Sequence, residues 1–376
     1  MTCPKPKRVL VVTDAGLHWP SGMVRAMQFR PLFESCETWR AEYISRHPEL
    51  LFRILHAQHR PLGRILVRAS RPVLQAIEGY WTRQNEDQIV RRAASFDLVC
   101  IVKSPGLRLC RRLCQLGRPR VLLDINDAVW SPIWRQGDWR DLDAILAQVD
   151  GVICENECIV AYAQQHNRRV FLVPDAPQLE VFDRYREQIN RDPKQVVIGW
   201  IGASAAIGPL YKVLEPLEAL FIRYSHLHLR LVGANPSRLP PFEYVRSSCL
   251  QNYDQGQMVR ELLRTDIGLF PLFHNEDGRG RGTLKAKVYM SARAVAVCED
   301  FGENPKLIQD GVNGVLASTP REWYEKLENL ILNAAERSSI AQRGLQTIRE
   351  QFTARHVFEK MLAVYDEVLG SSGAGL

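Results

Sequence analysis

Residues 279–318 read RGRGTLKAKVYMSARAVAVCEDFGENPKLIQDGVNGVLAS, and the rest of the chain is organised around this stretch. It opens with a glycine-interrupted basic run, Arg279-Gly280-Arg281-Gly282-Thr283-Leu284-Lys285, which leads directly into a helical segment, Lys285 to Ala292. An apolar run, Ala294 to Cys298, reads as a buried strand. A loop from Asp300 to Asn304, a one-turn helix from Pro305 to Gln309 and the turn Asp310-Gly311-Val312-Asn313-Gly314 complete it. Guanidinium groups and free backbone N–H groups at a helix start attract an anion, because the dipole and the unpaired donors act together. The pattern predicts a diphosphate ligand. A basic loop is more often a solvated surface, but three cations interleaved with glycines before a helix argue for the site.

Upstream, Val196 to Gly202 (VVIGWIG) is a strand, and Gly202-Ala203-Ser204 stands before a helix over Tyr211 to Tyr224. Glycine and serine at such a junction let the backbone approach a phosphate closely, though this is not the G-x-G-x-x-G fingerprint. His226 to Gly233 and Ile267 to Pro271 read as further strands, and Gln257 to Thr265 as a helix. The first half follows the same logic. Val9 to Thr13, Phe96 to Val102, Val121 to Ile125, Asp150 to Cys154 and Val170 to Val173 are apolar runs that alternate with helical segments. Continuous apolar strands alternating with helices predict parallel sheets wound on both faces.

Two places in the first half carry candidate chemistry. Ser21-Gly22 lies at a helix start after the first strand, with Arg25 one turn on, where ligands bind in open α/β sheets; a plain strand-to-helix turn explains it equally well. Asp124, Asn126 and Asp127 stand at a strand's carboxyl end, where they can hold sugar hydroxyls, act as acid or base, bind a metal or simply cap a turn. No third acidic ligand lies nearby in sequence, so a metal is not expected. Residues 46–92 hold a basic amphipathic stretch, with Arg60, Arg64, Arg68 and Arg71 opposite Leu62, Ile65, Leu66, Ala69, Val73 and Ile77. We expect its apolar face to pack on the sheet, with Pro61 and Pro72 shortening the helix; contact of residues 56–77 with a membrane is the alternative.

The chain has 376 residues, 46% hydrophobic and 24% charged, enough for two domains with separate cores. Its nine cysteines lack a paired C-x-x-C arrangement and read as free thiols of a reducing cytoplasm. No apolar run reaches the length of a membrane span, and no signal peptide precedes the first strand, so a cytoplasmic protein is expected, peripheral to the inner face of the membrane if residues 56–77 bind it. The net charge of +7 fits several partners. Nucleic acid ranks last among them, because the arginines are not interleaved with aromatics on a strand face.

The K-x-x-x-Y-M pattern of Lys285 to Met290, the strand after it, the glycine- and asparagine-bearing loop and LIQDGVNGVLA resemble the sugar-nucleotide half of GT-B glycosyltransferases of the large retaining family. The family usually carries two glutamates separated by seven residues; Gly280 and Val288 stand at those places, while Arg279, Arg281 and Lys285 match a subset with an R-G-K run and a following lysine. The resemblance implies an α/β GT-B fold, with two doubly wound, Rossmann-like domains facing a cleft. It places an N-terminal acceptor-side domain at 1–182, a linker at 183–195, a sugar-nucleotide domain at 196–350, a helix crossing back at 351–369 and a disordered tail at 370–376. It implies transfer from a nucleotide-diphosphate sugar to a glycan, glycolipid or small-molecule hydroxyl, with retention, without metal and without a further cofactor. Donor contacts would come from Gly22, Gly202, Ser204, Gly233, Tyr253, Arg279, Arg281, Lys285 and Asn304, and acceptor or sugar contacts from Ser21, Arg25, Asp124 and Asn126. Asp127, Arg281 and Lys285 would carry catalysis, with Asp127 or Asn126 serving where the family often has a histidine. Loss of the glutamates leaves two rivals: a catalytically silent binding partner, or a sugar-nucleotide epimerase or phosphorylase of the same fold.

Overall fold

The computed structural model describes residues 5–14, 20–47, 61–103, 106–132, 139–235, 244–251 and 253–370. Residues 15–19, 48–60 and 371–376 lie outside the described residues. The chain divides into two compact units, 1–174 with 357–376, and 175–356.

The first unit is built on β1 (Lys7–Thr13), β2 (Trp39–Ser45), β3 (Leu98–Val102), β4 (Arg120–Ile125), β5 (Gly151–Cys154) and β6 (Val170–Leu172), in the order β2-β1-β3-β4-β5-β6. Every neighbouring pair is parallel. Strand β3 is apolar and buried along its whole length and β4 is buried from Val121 to Ile125, as a sheet covered by helices on both sides requires. Strand β2, WRAEYIS, escaped the sequence reading because only Trp39 of its residues is buried; it is an edge strand whose polar residues meet solvent. The helix Ala354–Val368 belongs to this unit from Val357 onward, where Phe358 packs edge-on against Phe33 and Tyr365 lies on Trp39.

Two expectations fail at residues 61–93. Pro61–Ala93 is one helix of 33 residues, running through Pro72. A proline removes only one backbone donor, a loss that a helix of this length bears. Of the apolar face expected on the sheet, the described members Val73 and Ile77 are exposed, as are Tyr80 and Trp81 further along the helix. The opposite side is the one that packs, through Thr82, Glu86, Ile89 and Ala93, with Glu86 accepting from buried Arg46 at 3.0 Å. The side chains of 61–72 lie outside the described residues.

The second unit carries β7 (Val196–Ile201), β8 (Leu227–Val232), β9 (Ser247–Leu250), β10 (Ile267–Phe270), β11 (Val295–Glu299) and β12 (Val315–Ala317), all parallel, in the order β12-β11-β10-β7-β8-β9. Alternate residues of β11 feed two separate cores, Val295 and Val297 one, Ala296 and Cys298 the other, so both faces are covered. The boundary lies earlier than the sequence placed it. Leu179 and Phe182, on the helix Leu179–Arg186, join the core of this unit with Val259 and Leu262. The stretch 183–195 is fastened to the same unit, since Arg186 donates to Ser291 O and Arg191 to Leu263 O and Ala292 O.

Candidate functional site

In the second unit the chain runs from β7 outward to β8 and β9, then returns to β10, β11 and β12 on the other side. The gap between β7 and β10 is therefore the topological switch point, where open α/β sheets bind ligands beyond the strands' carboxyl ends. The two strands pair over only Ile198↔Ile267 and Gly199↔Gly268. Beyond that they part, and buried Tyr289 fills the opening: its hydroxyl accepts from Ile201 N at 3.0 Å and donates to Leu269 O at 3.1 Å. A Cβ at Gly268 would run into the Tyr289 ring, which explains the glycine. Burial pushes the Tyr289 phenol far above its ordinary range, so it stays a neutral hydrogen-bonding bridge.

Lys285 projects from the first turn of the helix Leu284–Ser291 to the same place. Its Nζ stands 4.7 Å from the Trp200 ring centroid and 5.6 Å from that of Phe270. Gly202 makes room for it, because a Cβ there would lie 2.8 Å from Nζ. Burial, aided by the positive charge of Arg281, lowers the ammonium's pKa to about 7. Among the described residues no carboxylate pairs with it. Arg281 pairs with Asp277 one turn back, and exposed Arg279 stands over the Phe301 ring at 5.8 Å without a carboxylate among the described residues. The helix lacks a side-chain cap at Thr283, which leaves its first amides for another acceptor.

The structure gathers several further expected donor residues here. Gly233 has φ +86°, and a Cβ on it would lie 2.6 Å from Gly202 O and 3.2 Å from Tyr253 Oη, so the loops after β7 and β8 touch through glycine alone. Ser204 Oγ accepts from Asn235 N at 2.7 Å and ties those loops together. Asn304 differs from expectation. It is buried and donates to Glu299 O at 2.9 Å, bracing the loop after β11 from inside. Lys287 is also buried: its Nζ donates to Asp175 O at 3.0 Å and lies 4.4 Å from the Phe352 ring centroid.

In the first unit Arg25 and Asp124, expected to meet an acceptor, are turned inward and held to each other. Their side chains are 2% exposed, with two-pronged contacts at 2.9 Å, and Arg25 also donates to Val173 O. A guanidinium cannot stay buried without its counter-ion, and this fork satisfies it. Ser21 and Gly22 lie in the helix Pro20–Arg25, with Gly22 buried and its carbonyl accepting from Ala26 N. Asn126 and Asp127 remain half-buried just past β4, with Lys103 Nζ 3.2 Å from Asp127 Oδ2. Lys103 itself sits at φ +71°, a backbone strain that non-glycine residues seldom carry.

Sequence reasoning missed a second constellation in the second unit, formed by Glu299 at the end of β11 with Lys212 and His274. The visible signal was a lone glutamate closing an apolar strand.

Residues 212–363 match the family model described as glycosyl transferase-like. No curated protein matches the chain significantly. Among solved structures, the Anabaena protein Alr3699/HepE in complex with UDP-glucose is 14% identical with a TM-score of 0.68, over 97% of this chain and 100% of that one. A glycosyltransferase from Rickettsia africae is 11% identical, with a TM-score of 0.66 over 98% and 100%. The UDP-forming α,α-trehalose-phosphate synthase of Burkholderia xenovorans is 13% identical, with a TM-score of 0.65 over 96% and 99%. Two parallel six-stranded sheets with their helices match the GT-B architecture of these proteins.

Proposed function

We propose that this glycosyl transferase-like protein of the GT-B fold moves a sugar from a nucleotide-diphosphate sugar to an acceptor hydroxyl. The observation that carries the reading is Lys285: an ammonium set over Trp200 at the switch point, flanked by Arg281, with no anion of the protein to meet it among the described residues. A cation so placed needs an anionic ligand, and two phosphates answer Lys285 and Arg279 together. HepE, solved with UDP-glucose, supports the ligand class.

In this reading Arg279, Arg281 and Lys285 hold the diphosphate, with the Gly202–Ser204 loop close against it and Gly233 and Tyr253 beside the base. The bond between the sugar's anomeric carbon and the diphosphate breaks as the acceptor oxygen bonds to that carbon, and the departing phosphate takes the hydroxyl proton. Charge builds on the diphosphate during this step, so fixed cations stabilise the transition state more than the ground state and do the work a metal does elsewhere. Attack from the leaving-group face retains configuration and requires no strong protein base. Asp127, with Asn126 and Ser21, is assigned to the acceptor and transferred-sugar side.

The exposed strip Val73, Ile77, Tyr80 and Trp81 supports contact with the inner face of a membrane, extending the segment 56–77 to Trp81. Apolar and interfacial aromatic side chains on a helix rich in arginine fit a headgroup layer, and such contact suits a lipid-linked acceptor. No described helix is long and apolar enough to cross a membrane.

A thermal-shift panel of UDP, GDP, dTDP and ADP with their hexose conjugates tests the donor assignment. A ligand bound only by the folded state raises apparent stability. One nucleotide should give a shift that Arg281→Ala and Lys285→Ala both lose; no shift with any of the panel contradicts the reading.

A further inference from the structure

Glu299 ends β11 with its side chain wholly buried. Its Oε1 accepts from Lys212 Nζ at 2.6 Å and from His274 Nε2 at 2.8 Å, and Lys212 Nζ also donates to Leu272 O at 2.8 Å. One carboxylate thus ties the segment after β7, the segment after β10 and the end of β11. Burying a carboxylate is costly, and Lys212 alone would balance its charge. The remaining contact orients His274.

The His274 ring is about half exposed and lies flat on Phe301, with centroids 4.4 Å apart and planes at 14°. Arg279 stands over the same Phe301 ring, which puts His274 beside a cation of the diphosphate site. The bond to Glu299 uses Nε2 and fixes the hydrogen there, so in the neutral ring Nδ1 is a lone-pair acceptor. Among the described residues nothing donates to Nδ1. Phosphate oxygens are acceptors too, so this nitrogen is no match for them. A hydroxyl group is.

We propose that His274 is a specificity-determining contact to the sugar of the donor: Nδ1 accepts a hydrogen bond from a ring hydroxyl of the hexose. Glu299 is the positioning residue that holds the imidazole for it. The proposal rests on the donor reading above and names which part of the donor His274 meets.

The test is calorimetric binding at pH 8 of UDP, GDP, dTDP and ADP and of their common hexose conjugates, to wild type, His274→Gln, His274→Asn and Glu299→Gln. Glutamine keeps a donor toward Glu299 but has nothing at the Nδ1 position, whereas asparagine keeps a polar atom there. His274 is half exposed, so its variants should fold, and circular dichroism checks Glu299→Gln. Bare-nucleotide affinity should stay within about twofold of wild type throughout, while the conjugate weakens about tenfold in His274→Gln and Glu299→Gln and recovers in His274→Asn, the size expected for one hydrogen bond. An unchanged conjugate-to-nucleotide ratio in His274→Gln overturns the proposal and leaves the donor reading intact. So does an equal loss of bare-nucleotide binding, which would place His274 on the phosphates. A wild-type protein that binds no member of the panel removes the donor reading itself.

Discussion

Replacing Lys285 by methionine should make the protein more stable and abolish nucleotide binding, a combination that few other residues can give. Holding an ammonium at about 7 instead of its ordinary 10.5 corresponds to a folded-state penalty of at most ~5 kcal/mol, at about 1.4 kcal/mol per tenfold change in proton affinity. Because the side chain keeps partial contact with water and stands over Trp200, solvent screening and a cation–π attraction of ~1 kcal/mol reduce the net gain on removal to about 2 kcal/mol. Methionine fills the same slot against the two aromatic rings. The pH dependence follows from the sign of the shift. The folded pKa lies below the unfolded one, so the penalty is complete below pH 7 and fades as pH rises toward 10.5, where the unfolded chain also loses its proton. Thermal unfolding at pH 6 should show a rise of about 4–8 °C for a unit of this size, shrinking toward pH 10. A Lys285→Met protein that is less stable than wild type at pH 6, or that still binds the nucleotide as wild type does, refutes the reasoning.

Tyr289→Phe removes the hydroxyl between Ile201 N and Leu269 O and should cost about 1–3 kcal/mol in urea unfolding, since both buried backbone groups lose their partner. Asp124→Asn leaves Arg25 buried without its counter-charge and should destabilise the first unit by about 3–5 kcal/mol, whereas an Arg25→Met, Asp124→Leu double variant should recover most of that loss. Failure of the double variant to recover would point to a ligand role for the pair. Wild-type protein should co-sediment with vesicles containing phosphatidylglycerol, and Tyr80→Ser with Trp81→Ser should cut the bound fraction several-fold; equal sedimentation of both proteins contradicts membrane contact through this strip.

Much of the fold was legible because its central strands are buried on both faces and read as continuous apolar runs, as LVCIV of β3 and VAVC of β11 do. What escaped was set by contacts remote in sequence. Strand β2 needs a neighbour to be recognised, for its polar residues carry no period that local sequence reveals. Lys287 stands in a basic stretch with no local sign of burial, because the carbonyl that receives its ammonium belongs to Asp175, 112 residues away. The boundary at 174/175 is fixed by Leu179 and Phe182 finding Val259 and Leu262, whereas the sequence showed only a polar stretch after them. At the candidate site the basic glycine run was readable, because an anion site is a local pattern of chain and charge. The gap between β7 and β10, the Tyr289 bridge and the Glu299 network were not, since each joins several strand ends.

The central claim is that Lys285 receives the diphosphate of the donor. A neutral amine that becomes an ammonium on meeting phosphate must take up a proton, and calorimetry detects it. Titrating the nucleotide at pH 8 in two buffers of different ionisation enthalpy should show net proton uptake on binding, because a group whose pKa burial lowers to about 7 is mostly neutral at that pH in the free protein. Lys285→Arg, which stays charged throughout, should bind without that uptake. Equal heats in both buffers for wild type, with the nucleotide bound, would show that the diphosphate lies elsewhere.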